Sequence, residues 1–160
     1  WSPPEPTIAA MSNWSDVDDY EVVICDRESR QDVYAAIGIV APSNKDRSEH
    51  RRSFMGKCST LLRQGAALTI IDFVTDPAAN LYGELVEWIG HPDPSLCGSI
   101  SAATLRERLA KRGRVMDAWY YPLAVGEPLP TLPIWLTEYF AVPLELEPIY
   151  EETLRSLRMR

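Results

Sequence analysis

The sequence predicts an α/β fold, a small mixed sheet with a parallel β-α-β crossover flanked by helices. Three observations carry this expectation. The runs VYAAIGIV (Val33 to Val40) and ALTIIDFV (Ala67 to Val74) have the length and apolar content of buried strands. Between them Phe54, Cys58, Leu61 and Leu62 fall at i, i+4, i+7 and i+8, the spacing of a helical stripe. A helix of about 16 residues joining two strands implies a right-handed parallel connection. Upstream, YEVVIC (Tyr20 to Cys25) is separated from Val33 only by the polar DRESRQD, which predicts an antiparallel hairpin with a longer loop.

The 160 residues, 46% apolar and 24% charged, suit one globular domain and exclude disordered and fibrous classes. Residues 1–19 combine Pro3, Pro4 and Pro6 with Asp16, Asp18 and Asp19 and read as an irregular lead-in; residues 20–160 read as the single domain. No apolar run approaches the roughly 18 residues of a membrane span. The chain opens on Trp1 without an export signal and is expected to be a fragment of a longer protein. Cys25, Cys58 and Cys97 form no CxxC pair and only His50 and His91 supply imidazoles, so disulfide and zinc frameworks are not expected and a cytoplasmic setting is the default.

The remaining elements follow in order. Asp46 or Ser48 can cap the crossover helix, and Gly65 can take the left-handed position at its end. Asp76 and Pro77 predict the start of a second helix with Leu81, Leu85, Trp88 and Ile89 on its inner face, stopped at Gly90. HPDPSLCGS, from His91, reads as a loop. Ser101 is expected to cap a third helix carrying Leu105 and Leu109, ending at Gly113. Val115 to Leu123 reads as a strand, on an edge because of Pro122. The proline-rich stretch from Pro122 to Pro148 is expected to run extended against the core through Leu129, Leu132, Ile134, Trp135 and Leu136. A last helix opens at Pro148 with Tyr150, Leu154 and Leu157 inward.

Net charge is −7, which disfavours general DNA binding. Two basic islands interrupt the acidity: residues 41–64 hold six Lys and Arg against two Asp and Glu, and residues 101–114 hold five against one. Both read as solvated helix faces.

Asp72 is the most informative residue. It interrupts an apolar strand on the face of Leu68, Ile70 and Val74, where an ionised carboxylate must be paired, hydrogen-bonded or bound to metal. It either serves a site or closes a loop at the strand's open end. Lys57 borders the helical stripe and can point at the strand ends or snorkel to water. Asn44 and Lys45 lie in the turn after the second strand, where open α/β sheets gather ligands, and can contact phosphate or simply build the turn. Without a GxSxG elbow or a third residue at a known spacing, the histidines and serines give no hydrolase signature, and Cys58 reads as core.

The string IGIVAPSNKDRSEHRRSFMGKCSTLLRQGAALTIIDFVT, Ile37 to Thr75, resembles the central segment of the bacterial family known as domain of unknown function 4058. PLPTLPIWL (Pro128 to Leu136) and VPLELEPIYEETL (Val142 to Leu154) resemble two later blocks of that family, in the same order. The central block is also similar to Uma-type endonuclease-like domains. The resemblance implies the PD-(D/E)XK nuclease fold, with Lys57 as the helix lysine and Asp72 as a metal-holding acid, both catalytic, and Mg²⁺ as the metal they would serve. Gly38 stands where the motif glutamate is expected, and Ala41 replaces the serine of the adjoining turn.

A glycine cannot coordinate metal. The expectation is therefore a nuclease-fold domain that has lost catalysis and binds nucleic acid or a protein partner. The alternative is an active Mg²⁺-dependent nuclease hydrolysing phosphodiester bonds, in which Glu21, Asp26 or Asp32 replaces the missing glutamate. A third class is a purely structural or interaction protein.

Overall fold

In the computed structural model of the chain, residues 1–5, 20–28, 32–75, 79–90, 100–111 and 113–158 are described. The lead-in beyond residue 5, the helix start at Asp76 and Pro77, and the loop from His91 to Ser99 lie outside them. The described chain is ordered β1 (Tyr20–Cys25), β2 (Val33–Ile39), α1 (Pro42–Lys45), α2 (Ser48–Arg63), β3 (Ala67–Asp72), α3 (Leu81–Trp88), β4 (Ser101–Ala110), β5 (Gly113–Pro122), β6 (Thr131–Trp135), β7 (Ala141–Glu145) and α4 (Leu146–Arg158).

All six residues of β3 are buried because it is the middle strand of five, with both faces covered. The sheet runs β1-β2-β3-β4-β5. β1 and β2 form the expected antiparallel hairpin, with Glu21 opposite Gly38. β2 and β3 are the expected parallel neighbours, joined through α2, with Gly38 level with Ile70. β4 lies antiparallel to both β3 and β5, and β5 is an edge strand as Pro122 suggested.

One face of the sheet packs Ala36, Leu68, Ile70, Ala103 and Leu105 against α2 and α3. On the other face Ala35, Ala67, Ile71 and Ala102 meet Leu132, Ile134 and Leu146 from β6 and the start of α4. The proline-rich stretch thus does lie against the core, but as a two-stranded antiparallel ribbon. Pro133 faces Pro143 across it, at a rung where the ladder requires neither N–H. α2 ends in a Schellman closure: Gly65 has φ +85°, its N–H donates to the Leu62 carbonyl and that of Ala66 to the Leu61 carbonyl. Its first residue is Ser48, preceded by Arg47 without a side-chain cap.

Three expectations are corrected. Ser101 to Gly113 is not a helix but β4 and the tight turn into β5. Alternation there sends Ala103 and Leu105 to the helices while Ala102, Thr104 and Arg106 face the ribbon, and strands on both sides supply partners that outweigh helix propensity. The Thr104 hydroxyl shares a 2.8 Å buried bond with that of Thr69, which only a strand register allows. α3 begins at Leu81, where Asn80 accepts the Gly83 N–H at 3.0 Å as its cap, and Trp88 sits exposed on the rim of the buried stripe. On α4, Tyr150 and Leu157 are exposed and Leu154 is half-buried, because the helix touches the core mainly through Leu146. Among the described residues no helix is long and apolar enough to cross a membrane.

The β4 assignment separates two leucines that a helical stripe would treat alike. Leu105→Ala is expected to cost about 2–5 kcal/mol in urea unfolding, whereas Leu109→Ala, at an exposed position, should change stability by less than about 0.5 kcal/mol. Equal losses would restore the helix.

Candidate functional site

The turn after β2 carries Lys45 into the protein. Ala41 is extended, Pro42 opens α1, and the Asn44 side-chain oxygen accepts the Ala41 N–H at 2.6 Å, closing the turn on itself. Lys45 then points at the end of β3. Its ammonium lies 2.8 Å from Asp72 Oδ2 and donates to the Val74 carbonyl at 2.6 Å, while Asp72 Oδ1 accepts the Val74 N–H at 3.0 Å. Both side chains are all but sealed, at 1% and 4% exposure.

Burial raises the Asp72 carboxyl above the ordinary carboxylate range, overriding the lowering by the Lys45 ammonium and the Val74 N–H. Stability contributed by Asp72 is therefore fully present below the unfolded carboxylate range and is lost as pH rises through the raised value. At neutral pH the pair fixes geometry at a cost in free energy.

Lys57 does not reach Asp72. It extends from α2 to Glu21 on β1, with Nζ 2.9 Å from Oε2, and both side chains keep partial access to solvent. Glu21 stands opposite Gly38, so it projects on the same sheet face as the position where the motif glutamate was expected. Together with Phe54, Cys58 and Leu68, these residues line one small recess. Gly38 and Asp72 share the face of the sheet that α2 and Lys57 cover, but two separate ion pairs occupy it. Glu21 is two strands and two residues away from Asp72, about 12 Å between their Cα positions at ordinary strand spacings. Asp26 and Asp32 sit at the far end of the hairpin, where Asp26 accepts the Glu28 N–H and the Tyr34 hydroxyl.

A hard cation such as Mg²⁺ needs several oxygen ligands. Here one carboxylate is held by an ammonium and an amide, the other by Lys57, and among the described residues no group of three or more His, Cys, Asp and Glu is placed to hold a metal. The residues present do not fit Mg²⁺. Asn44 and Lys45, expected as phosphate contacts, are buried at 0% and 2% exposure, and their polar atoms build the turn and the ion pair. The chain matches no protein-family model, no curated protein and no solved structure.

A second polar cluster escaped the sequence reading. Asp117 on β5 is 1% exposed, and its Oδ2 accepts Arg106 Nε and Nη2 at 3.2 Å and Arg108 Nε at 2.6 Å. The Arg106 guanidinium rests 3.5 Å from the centre of a Trp135 ring. The signal was available, since Asp117 interrupts an apolar strand as Asp72 does. What hid it was the helical reading of Arg106 and Arg108, which left Asp117 with no basic strand beside it.

Asp72→Ala alone should lose about 3–5 kcal/mol in urea unfolding at pH 7, because Lys45 is left buried without its carboxylate. Lys45→Met combined with Asp72→Leu should stay within about 1 kcal/mol of the wild type or exceed it. A double variant as damaged as the single one would show that the charges themselves sustain the fold.

Proposed function

We propose that this domain is a nuclease-like α/β scaffold, of the PD-(D/E)XK type suggested by the resemblance, that has lost metal-dependent hydrolysis and serves as a binding module for a protein partner. The observation that carries this reading is the enclosure of Asp72, whose two carboxylate oxygens are engaged by Lys45 and the Val74 N–H. Gly38 supports it by leaving the glutamate position without a ligand. A protein partner is favoured over nucleic acid because the basic islands are neutralised locally. Arg51 pairs with Glu84, Arg106 and Arg108 with Asp117, and Arg114 with Glu107, leaving little concentrated positive charge for phosphates. Exposed Phe73, Val125, Phe140, Ile149, Tyr150 and Leu157 give the surface an apolar character that suits protein contacts better.

One observation favours the runner-up, an active Mg²⁺-dependent nuclease. Glu21 lies directly across from Gly38 and against Lys57, so a carboxylate and a lysine stand together at the expected level of the sheet.

Calorimetric titration with Mg²⁺ and Mn²⁺, and incubation with single- and double-stranded DNA and RNA, separate the two. The wild type should bind neither metal measurably and cleave none of the substrates above background. Gly38→Glu should gain Mn²⁺ binding, because a Cβ at position 38 meets only ordinary contacts, with Phe54 and Thr69 at 4.0 Å, and the new carboxylate joins Glu21. Robust Mg²⁺-dependent cleavage by the wild type, lost in Glu21→Gln with the fold intact, would establish the runner-up instead.

A further inference from the structure

On the ribbon side of the sheet, away from the Asp72 and Gly38 positions, a cleft of about 250 Å³ opens between the outer part of β4 and the turn that follows β6. Arg108, Trp135, Glu138, Tyr34, Leu109 and Leu136 are among its walls. Three of its features bear on what it could hold. Arg108, which lines the cleft, uses Nε for Asp117, and among the described residues neither Nη1 nor Nη2 carries a hydrogen bond, so a planar pair of donors is left over on a fixed anchor. The Trp135 indole N–H is buried with no acceptor among the described residues, a costly state for a donor unless something supplies one. Glu138 lines the same cleft as Arg108, and its carbonyl is fixed by Arg106 Nη1 at 2.9 Å.

The charges select the ligand. Arg106 and Arg108 are balanced by Asp117 and Glu138, and Glu107, which also lines the cleft, is balanced by Arg114, so the cleft is neutral as a whole while presenting both guanidinium donors and a carboxylate. A phosphate dianion would meet Glu138 without compensation, and a simple cation would meet Arg108. A zwitterion satisfies both groups. The volume, below the usual range for drug-sized ligands, limits it to a small molecule, and Leu109, Leu136 and Tyr34 offer apolar wall to a hydrocarbon group. We propose that this cleft binds a free α-amino acid with an apolar side chain, its carboxylate on Arg108 and the Trp135 N–H and its ammonium toward Glu138. The site lies on the other face of the sheet from Asp72 and does not depend on whether the domain has lost nuclease activity.

The test is titration of the whole chain with L-leucine and L-phenylalanine, followed by calorimetry and by the fluorescence of the tryptophans. Leucinamide, which lacks the carboxylate, 4-methylpentanoate, which lacks the ammonium, and inorganic phosphate serve as comparison probes. Saturable binding of leucine or phenylalanine is expected, weakened at least about tenfold for leucinamide and for 4-methylpentanoate, with no binding of phosphate. Arg108→Met and Trp135→Phe should each weaken it by about tenfold, and Glu138→Gln should abolish the preference for leucine over 4-methylpentanoate. Glu138 is exposed, so that variant remains informative even where a change at Arg108 disturbs the Asp117 cluster. No saturable binding of either amino acid, tighter binding of phosphate, or binding unchanged in both Trp135→Phe and Glu138→Gln would overturn the assignment.

Discussion

The Lys45–Asp72 ion pair joins the turn after β2 to the end of β3, and the surrounding geometry depends on it. A lysine side chain loses its hydration when buried, so it enters only where a carboxylate and a carbonyl are already aimed at it, and Asp72 and Val74 provide both. The turn is placed so that this condition is met. It fixes α1, which in turn sets where α2 begins and so which of its residues face the sheet. Asn44 reinforces the same turn from within by holding the Ala41 N–H.

The sheet keeps its two faces chemically separate. Toward the helices the middle residues of β2, β3 and β4 are mostly apolar, and ion pairs lie at the margins, Lys45 with Asp72 and Lys57 with Glu21. Toward the ribbon, β4 and β5 turn polar as they extend past the ends of β2 and β3. There Asp117 gathers two arginines, and Arg106 lies against Trp135, tying β6 to the sheet by a contact between a cation and an aromatic face. The same strands thus supply packing at one end and a charged cleft at the other.

Much of the architecture was legible in the sequence because it follows from local pattern. The β1–β2 hairpin, the parallel crossover and the Gly65 stop each rest on a periodicity or on a backbone requirement confined to a few residues. β4 was misread because its alanines and its Leu105 to Leu109 spacing are compatible with a helix, and the decision came from β3 and β5 on either side. Tyr150 and Leu157 were placed inward on the same grounds of spacing, but α4 leaves the core after its first turn. Periodicity shows that a face is apolar and does not show what covers it.

For the candidate site, the sequence by itself determined that Asp72 needed a partner, since an ionised carboxylate in an apolar strand cannot be left alone. It also determined that Gly38 supplies no ligand. Which lysine answers Asp72 was decided only by the tertiary structure. Lys57 and Lys45 both lie between β2 and β3 in sequence, yet the rotation of α2 turns Lys57 to Glu21 on the outer strand, and the short turn of α1 brings Lys45 to the end of β3. The reason is that pairing across a sheet depends on register and on the direction in which a turn releases the chain, and neither is written in the spacing of residues along one segment.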